Sequence, residues 1–72
     1  MTLDRISRGQ KIEIVSIPDR DIKDQAIRLG IFEGARVTCF EKLPAGPVVI
    51  LNRKQKIAIG RKLAERIQVK VV

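Results

Sequence analysis

The sequence predicts a mainly β fold: a small SH3-like five-stranded barrel with one inserted α-helix over about 20–29 and a short helical turn over about 61–66. Three observations predict it. Apolar and polar residues alternate in several separate segments, the spacing of a strand with one face turned inward. Only one segment, from Asp19 to Leu29, shifts to helical spacing over any length. Finally, five strands in 72 residues, laid flat, would expose unpaired edges, so curling into a partly open barrel plugged by the helix is the expected arrangement.

Leu3 and Ile6 form a lead-in, and Gly9 precedes a strand carrying Ile12, Ile14, Val15 and Ile17. The alternation slips by one place between Ile14 and Val15, which predicts a bulge or a strand covered on both faces. Pro18 ends that strand.

In the next segment Ile22, Ala26 and Leu29 recur at helical spacing, and Ile27 widens the apolar stripe. Asp19 or Asp21 is placed to cap this helix, since a carboxylate there accepts from free backbone N–H groups and favours the positive dipole end. Gly30 supplies a left-handed terminating residue, after which Ile31 folds back on the apolar face.

Glu33-Gly34 marks a turn. Ala35, Val37 and Cys39 then alternate with Arg36, Thr38 and Phe40 as a second strand, which puts Phe40 on the outward phase. Leu43-Pro44-Ala45-Gly46-Pro47 cannot continue a ladder and reads as a loop. Val48 to Leu51 is a third strand, Asn52-Arg53-Lys54 a polar hairpin tip, and Gln55 to Ile59 a fourth strand with Ile57 and Ile59 inward. After the turn at 61–66, Ile67, Val69 and Val71 alternate as a closing strand. Repeats, linkers and low-complexity runs are absent, so residues 1–72 read as a single domain.

Composition narrows the function classes. The chain is 44% hydrophobic and 32% charged, with two Phe and no Tyr or Trp, so aliphatic side chains must fill the core. There is no His, and the single Cys39 has no imidazole partner, so neither a nucleophile–base pair nor an enzymatic role is expected. One cysteine forms no intramolecular disulfide, which points to a reducing, cytoplasmic setting. The N-terminal residues lack the apolar core of a signal peptide, and no apolar run is long enough to span a membrane.

Metal chemistry finds little support. The densest acidic set, Asp19, Asp21 and Asp24, sits at the helix start and reads as capping and dipole balance, and Cys39 on an inward phase reads as a packed core thiol. Gly30 and Gly34 belong to turns; neither the P-loop lysine nor a dinucleotide fingerprint accompanies them.

What remains is charge. The net charge is +7, and residues 41–72 alone contribute +6. Arg53, Lys54, Lys56, Arg61, Lys62 and Arg66 cluster around the hairpin tip and the following turn. Such a cluster is ordinarily a solvated face that blocks edge pairing; its functional alternative is docking to an acidic protein surface, anionic lipid headgroups or nucleic acid. Nucleic acid is the less expected partner, because Phe32 and Phe40 both lie outside the basic stretch in sequence, and single-strand binders stack bases on aromatic rings. Phe40, Leu43 and Pro44 form a second candidate: either a protein-docking patch or residues packed beneath the loop. Self-association through a strand edge is a further expectation.

In order of elements the chain resembles the FeoA family. The resemblance runs through Leu3, Ile6 and Gly9, the stretch Ala26-Ile27-Arg28-Leu29-Gly30-Ile31 with Glu33-Gly34, the strand Ala35 to Lys42 and Pro44, Ile57-Ala58-Ile59, and Leu63 to Val69. It differs at the tip Asn52-Arg53-Lys54-Gln55-Lys56, which is more basic and lacks the family's frequent glycine, and in carrying Gly60. The resemblance implies a non-enzymatic accessory or regulatory protein of ferrous iron uptake that binds the cytoplasmic part of the FeoB-type transporter, which carries a GTP-hydrolysing domain. It implies a cytoplasmic location, peripheral at the inner membrane face through that partner. Iron is then the transport context rather than a cofactor, although a transition-metal-binding label goes with the family. The same module occurs in metal-dependent repressors, so a metal-responsive regulator domain is an alternative beside a nucleic-acid-binding barrel.

Overall fold

A computed structural model describes residues 1–72. Five antiparallel strands form one sheet: β1 (Lys11–Ser16), β2 (Arg36–Lys42), β3 (Val48–Asn52), β4 (Gln55–Ile59) and β5 (Gln68–Val71), in the order β4-β3-β2-β1-β5. The sheet curls without closing, since no ladder joins β4 to β5. Helix α1 (Arg20–Arg28), the four-residue α2 (Arg61–Ala64) and a 3-10 turn at Leu3–Arg5 complete the chain.

The core is aliphatic. Leu3, Ile6, Ile12, Ile14, Ile31, Ile50, Ile59 and Ile67 are fully buried, together with Val48, Ala26 and Ala64. No polar or charged residue is buried with them, so burial of hydrocarbon is the main force holding the fold. The helix is less of a plug than its pattern predicts. Ala26 alone is buried on α1, with Ile22 partly packed on the core, and closure is shared with Leu3, Ile6, Ile31 and Ala64.

The predicted slip in the first strand is a bulge. Register against β5 shifts between Ile14 and Ser16, leaving Val15 exposed. Ile14 and Ile17 are three residues apart and both face inward, which strict alternation forbids; one extra residue restores the phase. A second bulge, not foreseen, interrupts β2 against β3 between Cys39 and Glu41 and makes Phe40 the extra residue.

α1 ends as its sequence dictates. Gly30 N–H donates to the Ile27 carbonyl at 2.9 Å and Ile31 N–H to that of Ala26 at 2.8 Å, while Gly30 takes φ +82°. This paired closure needs a left-handed residue, and Ile31 then drops into the core. Two expected core residues do not join it: Ile27 is 52% and Leu29 38% exposed. Helix α1 ends over an open side of the sheet, so the wide stripe finds nothing to cover its last turn. Val71, expected inward, is likewise exposed: it pairs with the buried Ile12 but stands at the end of an edge strand.

Candidate partner-binding surface

Residues that are far apart in sequence converge on the outer sheet face. Phe40, the extra residue of the β2 bulge, faces outward, 39% exposed, and Lys56 from β4 places its Nζ 4.2 Å from the ring centroid. A cation over an aromatic face is attracted by the ring quadrupole, so the pair holds a charge and an apolar surface side by side. Leu43 is 41% exposed and Pro44 is exposed too, so the loop leaves this patch open instead of packing over it. The loop is tied to α2 by Arg61, whose Nη2 donates to the Leu43 carbonyl at 3.4 Å while its Nε is buried without a partner.

The basic cluster that looks continuous in sequence is divided in space. Arg53 and Lys54 form the β3–β4 turn and line a groove with Phe32, Ala35, Arg36 and Asn52. Lys56 belongs with Phe40, and Arg61 with Leu43. Lys62 and Arg66 border a groove with Ile22, Gln25 and Glu65, and Arg61 lines it too, joining that groove to the Leu43 loop. Arg66 differs from the others in being paired, its Nη2 3.4 Å from Asp19 Oδ2. Arg53, Lys54, Lys56, Arg61 and Lys62 take part in no ion pair.

Both aromatic residues lie outside the basic stretch in sequence, yet in space Phe40 carries Lys56, and Phe32, 54% exposed, shares a groove with Arg53 and Lys54. Sequence distance hid both associations, because the strand pairing that produces them is non-local.

The structural residues stand as follows. Asp19 is the N-cap of α1, its Oδ1 accepting from the N–H of Asp21 at 3.0 Å and of Ile22 at 3.4 Å; Asp21 is an exposed first-turn residue. The Ile22 N–H bond above all, then the Asp21 N–H and Arg66, hold the Asp19 carboxyl below its ordinary range. Gly34, at φ +92°, donates its N–H to the Ile14 carbonyl and turns the chain into β2. On the same outer face, over β1, Glu13 lies between Arg36 at 3.1 Å and Lys70 at 3.6 Å, its pKa lowered chiefly by the Arg36 hydrogen bond.

The residues present do not suit a transition metal. No three Cys, Asp or Glu side chains gather at one point. The Cys39 thiol is buried, and that burial pushes its pKa up, away from the thiolate a metal requires.

The class of fold is a small, mainly β, SH3-like domain with exposed cations and apolar side chains on its outer face. The family model of the FeoA domain matches residues 1–71, and the chain belongs to that family. Among solved structures it resembles an iron uptake regulatory protein (FeoA), at TM-score 0.91 and 27% identity, covering 100% of this chain and 97% of that one. A FeoA-like protein from Clostridium acetobutylicum matches at TM-score 0.86 and 19% identity, over 100% of this chain and 86% of the other. The metal-dependent transcriptional regulator MtsR matches at TM-score 0.86 and 15% identity, but this chain spans only 34% of it. At those two lower identities the likeness speaks for the fold alone. No curated protein sequence matches the chain. No helix is long and apolar enough to cross a membrane.

Proposed function

We propose that the protein is a non-enzymatic accessory or regulatory component of ferrous iron uptake, acting in the cytoplasm by binding the cytoplasmic part of an FeoB-type transporter. Family membership over residues 1–71 carries the link to iron uptake. The observation that supports a binding role is the exposed surface of Phe40, Leu43 and Pro44 with Lys56 and Arg61 set against it. Apolar side chains left in water beside unpaired cations favour a partner that offers both hydrocarbon and negative charge. In this reading iron is the context of the role rather than a cofactor.

Titration against the purified cytoplasmic domain of the transporter tests the reading. Saturable binding that survives moderate salt and weakens for Phe40→Ala and Lys56→Glu is expected; absence of binding to both that domain and the intact transporter overturns it.

A second reading, a nucleic-acid-binding barrel, is favoured by Phe32 beside Arg53 and Lys54. It predicts affinity for single strands that falls steeply with salt and is lost in a Phe32→Ala, Lys54→Glu double variant.

A further inference from the structure

The sheet has two edges, and the chain treats them differently. The outer edge of β5 is covered by the N-terminal residues: Val69 N–H donates to the Met1 carbonyl at 2.8 Å and Leu3 N–H to that of Ile67 at 2.9 Å. The outer edge of β4 has no such cover. β3 and β4 pair across a two-residue turn with Asn52 opposite Gln55, so Gln55, Ile57 and Ile59 face the β3 ladder. The N–H and C=O groups of Lys56 and Ala58 therefore point away from the sheet, and none of them bonds to any other element of the chain.

Beside that edge lies a groove between β4 and the end of α1. Ile27 and Leu29 line one wall, and Ile57 and Ala58 the other. Arg28 and Lys56 stand at its rim. Its helix wall is the pair of apolar residues that the core leaves exposed.

We propose that the β4 edge is a strand-addition site for an extended segment of a partner protein in which apolar residues alternate with acidic ones. A strand laid against Lys56 and Ala58 gains main-chain hydrogen bonds, and the pleat turns its alternate side chains to opposite faces. One set meets Ile27, Leu29 and Ile57 in the groove; the other meets Lys56 on the outer face. Charge selects the occupant. Residues 53–58 contain Arg53, Lys54 and Lys56, with no acid and no ion pair. A second copy pairing through the same edge would bring two such strips together, and like charges facing across a ladder are unfavourable, whereas carboxylates relieve them.

This inference concerns how a segment is held and does not depend on the transporter being the partner. The test is titration of the full chain with a short synthetic peptide alternating valine and glutamate, followed by amide NMR, with a valine–lysine peptide as control. Saturable shifts confined to Gln55–Ile59 and Ile27–Gly30 are expected for the acidic peptide only. Ala58→Pro removes one outward N–H without touching the β3 ladder and should weaken binding by about tenfold. Lys56→Glu should shift preference toward the lysine peptide, a readout that survives even if the proline variant folds poorly.

The inference is overturned if the acidic peptide causes no shifts at high concentration, or if shifts fall on other elements. Unchanged binding in both variants overturns it too, as does a dimer of this chain that buries residues 55–59. If the parent chain binds the transporter domain but shows no shifts with the acidic peptide, this site is overturned and the proposed function stands.

Discussion

β5 and β4 are both edge strands of one sheet, yet one is built into the core and the other is left facing water. Over β5, Met1 to Leu3 add backbone bonds, and the side chain of Leu3 is fully buried beneath them. Along β4, the neighbouring hydrophobes Ile27 and Leu29 remain exposed and the charges Lys54 and Lys56 are unpaired. The difference teaches where stability resides and why the strand addition proposed above is placed at β4. A small domain has little core to spare, so the edge it seals supports the fold, and the edge it leaves open is free for a partner.

The largest expected effect is at the sealed edge. Leu3→Ala should cost about 2–5 kcal/mol by emptying a fully buried site, enough to leave a domain of this size partly unfolded. A urea melt measures it, and a loss well below that range would break the contrast between the edges.

Asp19→Ala should lower the thermal midpoint by a smaller amount, since it removes a cap from α1 and the partner of Arg66. The sign with pH follows from the direction of the shift. A carboxyl whose folded pKa lies below its ordinary value stabilises the fold at pH above that value, and the contribution is lost as pH falls through the lowered one. Melting curves of the two proteins should therefore differ near neutrality, begin to draw together below about pH 4, and meet only once pH has fallen past the lowered value.

The hairpin that leads into the open edge offers a gain. Arg53 adopts φ +59°, the positive φ that two-residue hairpins require at that position and that a Cβ disfavours. Arg53→Gly should stabilise by up to about 1 kcal/mol, relief of strain being partly offset by the flexibility of glycine. A fall in stability would show that the Arg53 side chain contributes packing at the tip.

Smallest of all is the effect of Ala58→Pro on stability, expected within about 1 kcal/mol, because the N–H it removes is unbonded and edge strands accept proline. Its thermal melt should nearly overlay that of the parent. A large loss would mean that β4 is held along its outer side and is no open edge.

Much of this architecture is legible in the sequence because it rests on local rules. The Asp19 cap, the Gly30 and Ile31 termination of α1, and the slip near Val15 each follow from a few consecutive residues and the conformations they allow. The candidate surface was legible only in its parts. Phe40, Leu43, Lys56 and Arg61 stand out as residue types at outward positions, but nothing local places Lys56 on Phe40 or Arg61 at Leu43. The bulge at Phe40 left no mark in the alternation because the apolar pattern of β2 ends there.

The sequence by itself determined the number of strands, the helix and its ends, the aliphatic core and the concentration of positive charge toward the C-terminus. These depend on periodicity, backbone preference and composition, which each segment carries alone. Only the tertiary structure decided which edge is sealed, which turn of α1 is left in water, and how one basic run divides among three neighbourhoods. Those outcomes depend on pairing between strands distant in the chain, and a hydrophobic residue is buried only where another element arrives to cover it.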